Sequence, residues 1–241
     1  MTHPLNDLGQ PVGESLAHWE PPALPSREPM EGRFCRLEAL APERHAEDLY
    51  AMNAQDRLGG NWTYLPYGPF DSLERYYAWL QVGSQGDDPL FFAVIRKSDG
   101  RAVGVASYLR IAPAGGVIEV GHIHYSEQLK KNAIATEAMF LMMRRIFELG
   151  YRRYEWKCDA LNAPSRTAAQ RLGFTYEGTF RQATVYKGRN RDTAWYSIVD
   201  AEWPRLHQSF SQWLAPSNFD ELGGQRTRLS ELTQVTLKQQ P

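Results

Sequence analysis

Between Cys158 and Thr175 the chain runs DALNAPSRTAAQRLGF, opening its polar turn with Asn162-Ala163-Pro164-Ser165 and closing on Leu172-Gly173-Phe174. The residues just before it, Tyr154–Cys158, read as a strand. Ala163–Leu172 reads as a helix. Asn162 is a good N-cap, and Pro164 is tolerated in the first helical turn, where its missing N–H costs nothing. Gly173 supplies the stop. Taken alone, Asn162 and Ser165 would serve plain capping. Followed by Leu-Gly-Phe and then by Glu177-Gly178, the pattern is more specific than a cap.

Upstream, Val117–Tyr125 reads as a strand and Ala135–Leu149 as a helix. The helix places Ala138, Met139, Met142, Met143 and Ile146 at three-to-four spacing, with Gly150 as terminator. Earlier still, Arg33–Glu38 is a strand, Pro42–Asn53 and Ser72–Gln81 are helices, and Leu90–Arg96 and Ala102–Ile111 are apolar runs split by Ser98-Asp99-Gly100, a hairpin signal. Downstream, Thr175–Phe180 and Ala194–Val199 are closing strands. The order β-α-α-β-β-β-α-β-α-β-β implies an α/β (α+β) domain with an antiparallel first half. Residues 1–30 hold six of the fifteen prolines, so an extended N-terminal arm is expected there. The globular domain is expected over 31–214. A polar tail is expected over 215–241, with one short helix near Leu229–Lys238.

Composition narrows the function. The 241 residues include 27 basic and 28 acidic side chains, a net charge of −1, which disfavours a general nucleic-acid binder. The arginines Arg144, Arg145, Arg152 and Arg153 could form only a local patch. Cys35 and Cys158 make neither a zinc knuckle nor a disulfide scaffold, and two lone thiols suit a reducing cytoplasm. The N-terminal stretch lacks a basic start followed by an apolar run, and no apolar window is long enough for a membrane span. A cytoplasmic protein without a membrane or nucleic-acid partner is expected.

Three stretches can carry chemistry. Tyr125–Glu137, YSEQLKKNAIATE, joins a strand to a helix start, where unpaired N–H groups and the helix dipole can hold a phosphate, or where an ordinary turn carries solvated lysines. Glu119, His122 and His124 share the strand Val117–Tyr125. Each is a candidate base, and Glu119 reads equally well as a structural acceptor. In a regular strand the two histidines share a face, and a bulge near Gly121 would change that parity. They lack the further ligands a metal site needs, so no metal is expected. Gly59–Phe70 is dense in aromatics, which could wall a substrate site or simply cover the sheet. Tyr186 and Cys158 rank lower as candidates, and Cys158 suits core packing.

The motifs AIATEA (Ala133–Ala138), NAPS (Asn162–Ser165), RLGF (Arg171–Phe174), YEG (Tyr176–Gly178) and RDTAWYSIVDAEWP, at this order and spacing, resemble the GNAT superfamily of acyl-CoA-dependent N-acyltransferases. Within it they are similar to the RimJ/RimL-like branch, which acetylates N-termini of ribosomal proteins. The resemblance implies a mixed central sheet with splayed middle strands flanked by helices, and acetyl-CoA as co-substrate. It implies that pantetheine pairs with the strand at Ile123, His124 and Tyr125. The pyrophosphate would rest on Leu129, Lys130, Lys131, Asn132, Ala133, Ile134 and Ala135. Ser165 would protonate the leaving thiolate, and Asn162 would orient pantetheine or a water. Glu119 or His124 would take the amine proton, since the branch's own glutamate falls at Thr184. Trp62, Tyr64 and Tyr67 would line the acceptor site. The expected activity is transfer of an acetyl group to a primary amine, on a protein N-terminus or a small molecule, by direct attack. A second copy of the chain is a candidate partner. Two departures, Thr184 and Ala133 in place of a loop glycine, keep open a non-catalytic acyl-CoA-binding regulatory module.

Overall fold

The computed structural model describes residues 3–129 and 132–238. Among them eight strands form one sheet in the spatial order β1 (Met30–Glu31), β2 (Cys35–Ala39), β3 (Leu90–Arg96), β4 (Ala102–Ala112), β5 (Val117–Tyr125), β6 (Arg153–Asp159), β8 (Arg189–Val199) and β7 (Thr175–Tyr186). Neighbours are antiparallel except β5 and β6, which run parallel. A parallel pair needs a crossover, and the helix α3 (Ala133–Glu148) lies in that connection. The mixed α/β sheet is the one the element order implied.

Helices cover both faces. Alternation along β3 sends Phe92 and Val94 to one core and Phe91, Ala93 and Ile95 to the other. The first core holds Met139, Met142, Met143 and Ile146 of α3. It also takes Leu206, Phe210 and Trp213 of α5 (Trp203–Leu214). The second takes Leu49 of α1 (Pro42–Asn53) and Tyr76 and Leu80 of α2 (Leu73–Gln85). Helix α4 (Ala163–Arg171) follows β6.

The helix α5 and the full length of the closing hairpin lie outside the sequence expectation. Strands β7 and β8 run on to a two-residue turn in which Lys187 (φ 49°) and Gly188 (φ 70°) both adopt the left-handed conformation. That turn matches the twist of a hairpin, and glycine takes it at no steric cost. The last helix, α6 (Leu229–Lys238), packs back onto the body: Leu229 joins the first core, and the Thr233 hydroxyl donates to the Arg171 carbonyl at 3.0 Å. At the other end, the Arg145 guanidinium reaches the carbonyls of Glu28 and Pro29 at 2.6 and 2.8 Å.

Two bulges shape the middle of the sheet. In β4, Arg110 (φ 48°) is an extra residue opposite β5, and the Arg110 and Ile111 N–H groups donate to the Asp88 carboxylate at 2.8 and 3.0 Å. In β5, His122 (φ 50°) is extra opposite β4. Ile118 and Val120 face the α3 core, and past the bulge Ile123 and Tyr125 face it too. His122 and His124 are thereby moved to the face that carries Glu119.

Candidate active site

The parallel pairing of β5 with β6 runs from Val117↔Arg153 to Val120↔Trp156 and stops there. Beyond that point β5 stays paired to β4 as far as Tyr125, and β6 stays paired to β8 as far as Asp159. Two strands held by their outer neighbours but not by each other must part. A cavity of about 530 Å³ opens at the divergence. Glu119, His122 and Ile123 line it from β5, Lys157, Cys158 and Asp159 from β6, and Asn162 and Ser165 from the start of α4.

The floor is charged. Glu119 on β5 stands directly across from Glu155 on β6. Like charges in register repel, and here Lys157 Nζ sits between them, 2.9 Å from Glu119 Oε2 and 2.7 Å from Glu155 Oε2. Arg110 Nη1 reaches the same Glu119 oxygen at 2.7 Å. Glu119 is only 3% exposed. Burial pushes its carboxyl up, and Lys157 and Arg110 pull against that shift. With Oε2 taken by two cations, Oε1 is the oxygen left for a further partner.

Ser165 lies in the first turn of α4. Asn162 caps this helix, its Oδ1 accepting the Ser165 N–H at 3.1 Å. The indole Nε1 of Trp156 donates to Ser165 Oγ at 3.0 Å. A hydroxyl that accepts one such bond keeps its own proton to give. Burial raises the Cys158 thiol, and the Ser165 hydroxyl partly offsets that rise. Next to it, Asp159 Oδ1 takes the Leu161 N–H at 2.8 Å and Oδ2 takes the Tyr186 hydroxyl at 2.8 Å. Burial and this bond push the Tyr186 phenol up to about 12.

The two histidines differ. His122 lines the cavity and bonds the Tyr67 hydroxyl through Nδ1 at 3.0 Å. Burial, with Arg110 assisting, lowers its pKa to about 4, so the ring is neutral at physiological pH. His124 is buried and stacks on Trp62 with ring centroids 3.8 Å apart. Trp62, 3% exposed, packs in the α1/α2 core and lines a separate cavity of about 270 Å³. Of the three aromatics expected at the acceptor site, Tyr64 borders the large cavity, joined by Leu65 and Pro66. The Tyr67 ring stacks on His122 and abuts Trp79. Further bonds tie this loop down: Asn61 Nδ2 donates to Glu127 Oε1 at 3.0 Å, Tyr64 Oη donates to the Leu161 carbonyl at 3.3 Å, and Lys187 Nζ, from the β7–β8 turn, donates to the Trp62 carbonyl at 2.7 Å.

The helix α3 follows β5 in the chain, and Glu127, between them, lines the cavity. Asn132 is the N-cap of α3, with Oδ1 accepting the Ile134 N–H at 3.0 Å. Ala133 is the first helical residue, a backbone conformation that alanine adopts without strain, so the missing loop glycine leaves no geometric defect. Leu129 and Ile134 bury their side chains in the core, while Tyr125 and Ala135 pack against it partly exposed. Lys130 and Lys131 lie outside the described residues.

Residues 35–175 match the model of the acetyltransferase (GNAT) domain, more than half of the chain. The chain belongs to the GNAT acetyltransferase family. A GCN5-related N-acetyltransferase from Brucella melitensis is 46% identical and superposes with a TM-score of 0.89, over 91% of this chain and 100% of that one. The ribosomal-protein-serine acetyltransferase of Escherichia coli is 26% identical over 172 residues, 69% of this chain and 93% of that protein. The microcin C7 self-immunity acetyltransferase MccE, described in complex with acetyl-CoA and AMP, shares the fold at 22% identity and a TM-score of 0.61, over 70% of this chain and 93% of that one. The protein is therefore an acetyltransferase enzyme, and acetyl-CoA is the co-substrate its family uses.

Lys157, Arg110 and Asp159 are the site residues that sequence reading missed. For Lys157 and Asp159 the signal was present in β6, RYEWKCD, where Glu155, Lys157 and Asp159 alternate with Tyr154, Trp156 and Cys158. Charges at every second position of a strand that lies inside a sheet mark a polar cleft rather than a core. Among the described residues no helix is long and apolar enough to cross a membrane, and no group of three His, Cys, Asp or Glu is placed to hold a metal ion.

Proposed function

We propose that the protein transfers an acetyl group from acetyl-CoA to a primary amine, on a protein N-terminus or a small molecule, by direct attack. The observation that carries this reading is the opening between β5 and β6, with Ser165 on one wall and Glu119 on the other. The residues present fit the co-substrate. An elongated pantetheine needs a strand edge with unspent backbone groups, and β5 beyond Val120 has no β6 partner to spend them on. A diphosphate needs free N–H groups, and the first turn of α3, with its small Ala133 and Ala135, supplies those that the Asn132 cap does not take from Ile134. Ile123, His124 and Tyr125 would hold the first by main chain. Ala133 and Ala135 would hold the second by their N–H groups, whereas those of Leu129, Asn132 and Ile134, expected to share in it, are already bonded to the Ser126 carbonyl, the Leu129 carbonyl and Asn132 Oδ1.

Acetyl-CoA supplies the acyl group as a thioester open to a neutral amine. Ser165 Oγ holds the proton that a departing sulfur requires. Glu119 Oε1 receives the proton that the amine sheds, directly or through one water. Asn162 fixes the turn that aims Ser165. Tyr64 and the tied-down loop around it bound the acceptor side and exclude water.

Two measurements test this. Millimolar coenzyme A is expected to raise the melting temperature, since a ligand bound only by the folded state stabilises it; no shift would remove the co-substrate site. Thiol release across a panel of amines and N-terminal peptides then reads the activity. In that assay, Glu119→Gln is expected to flatten the acidic limb of the pH–rate profile. A base must be charged, and activity governed by a carboxylate is lost as pH falls through its raised pKa. A limb identical to that of the wild type would take Glu119 out of the role.

A further inference from the structure

Glu119 raises a physical problem that the proposed function leaves open. A buried carboxylate prefers to be neutral, and a second buried carboxylate, Glu155, faces it in register from β6. A neutral carboxyl cannot accept a proton.

Lys157 answers it. Its side chain is 8% exposed, and its ammonium lies between the two carboxylates at 2.9 and 2.7 Å. Trp195 is its register partner on β8, and the indole covers Nζ at 3.8 Å from the ring centroid. A cation under an aromatic face is both stabilised and shut off from water. Glu155 is held from its other side by Arg153 Nε at 2.7 Å, and Arg153 is itself anchored to Glu177. The lysine is thus fixed by groups from β5, β6 and β8.

We propose that Lys157 is a positioning residue for acetyl transfer: clamped between Glu119 and Glu155 beneath Trp195, it keeps Glu119 ionised and turns Oε1 toward the cavity. This rests on the role of Glu119 proposed above. The charged and titratable groups facing Glu119 are Arg110 from β4, His122 from β5, and Lys157 and Glu155 from β6; Asp159 and Arg191 stand farther along the cavity wall. Arg110 shares Oε2 but has a side chain that is 61% exposed, so solvent screens it. Lys157 is the cation whose field water does not weaken.

Two substitutions carry opposite signs, which separates electrostatics from damage to the fold. Lys157→Met strips the cation and leaves two facing carboxylates. The acidic limb of the pH–rate profile is expected to move up by about one pH unit, making rates on that limb about tenfold lower at a given pH. Activity should recover toward the wild-type plateau at high pH, with KM for acetyl-CoA little changed. Glu155→Gln removes the competing anion, and the limb is expected to move down. Lys157→Arg should restore the wild-type limb. Carboxylate titration by carbon NMR, with the Glu119 signal assigned by its loss in Glu119→Gln, reads the same shifts without turnover. If Glu119→Gln flattens the limb but Lys157→Met and Glu155→Gln both leave it in place, the proposal is overturned while the role of Glu119 stands. If Glu119→Gln leaves the limb unchanged, the role of Glu119 fails, and the catalytic part of the proposal falls with it even where the NMR titration shifts. Should Lys157→Met not fold, the direction of the Glu155→Gln shift decides.

Discussion

Ser165→Ala is expected to lower kcat about 10²-fold while KM for acetyl-CoA stays within about twofold. The hydroxyl occupies the first turn of α4, aimed by the Asn162 cap, and accepts the Trp156 indole N–H at 3.0 Å. Its lone pair is engaged, so its proton is the part it can offer. A proton given to sulfur matters when the carbon–sulfur bond breaks and matters little while the thioester is merely bound, so the loss should fall on kcat. The substitution also orphans the Trp156 N–H, at a cost of about 1 kcal/mol or somewhat more. Trp156→Phe isolates that part: it deletes the N–H, keeps the hydroxyl, and is expected to change the melting temperature more than kcat. Steady-state kinetics with acetyl-CoA varied at fixed amine separates the two constants. An unchanged kcat, or a KM that rises as far as kcat falls, would remove Ser165 as the acid.

The elements that hold this site were legible in the sequence because their signals are local. Pro42–Asn53, Leu90–Arg96 and Val117–Tyr125 have the bounds their periodicity implies. Asn162 and Gly173 mark the ends of α4 through capping chemistry that needs no tertiary partner. Helix α5 could have been read as well, since Leu206, Phe210 and Trp213 repeat at helical spacing behind Pro204. The Lys187-Gly188 turn carried its own mark for the hairpin. The β5 bulge, raised near Gly121 only as an alternative to a regular strand, falls at His122, and the β4 bulge at Arg110 left no local mark. Arg110 and His122 take positive φ without being glycine, and each is held there by contacts from afar: the Asp88 carboxylate on the N–H groups of Arg110 and Ile111, and the Tyr67 hydroxyl on His122. One extra residue in β5 decides which face His122 and His124 occupy. Lys157 was missed for a related reason. A single lysine in a strand reads as solvated until its neighbours in β5 and β8 place two carboxylates and an indole around it. Local patterns delivered the scaffold and the helix that carries Ser165, whereas the electrostatics of the cavity arise from strands brought together over long sequence separations.

Glu137→Ala is expected to cost about 3–5 kcal/mol of folding stability, the largest structural effect among these substitutions. Glu137 belongs to the AIATEA motif that carries the family resemblance, yet its side chain points away from the cavity. It is 3% exposed, and its carboxylate accepts three main-chain N–H groups, those of Arg33 and Phe34 at 2.6 Å and of Cys35 at 2.8 Å. These donors turn the chain from β1 into β2, and Gly32 leaves the room the carboxylate needs, since a Cβ there would press on its oxygens. Alanine would strand three donors, that of Cys35 buried and those of Arg33 and Phe34 partly so, and detach the first turns of α3 from the edge of the sheet. Glu137→Gln keeps one good acceptor oxygen and brings in an amide with no acceptor for its hydrogens, so an intermediate loss is expected. Urea unfolding of the three proteins measures this directly, with the midpoint falling and the slope unchanged. A loss under about 1 kcal/mol for Glu137→Ala would show that the turn finds other acceptors. The result also bears on catalysis, because the first turn of α3 carries the N–H groups proposed to hold the diphosphate. If Glu137 anchors that helix, Glu137→Gln should raise KM for acetyl-CoA while leaving kcat near the wild-type value, the reverse of the pattern expected for Ser165→Ala.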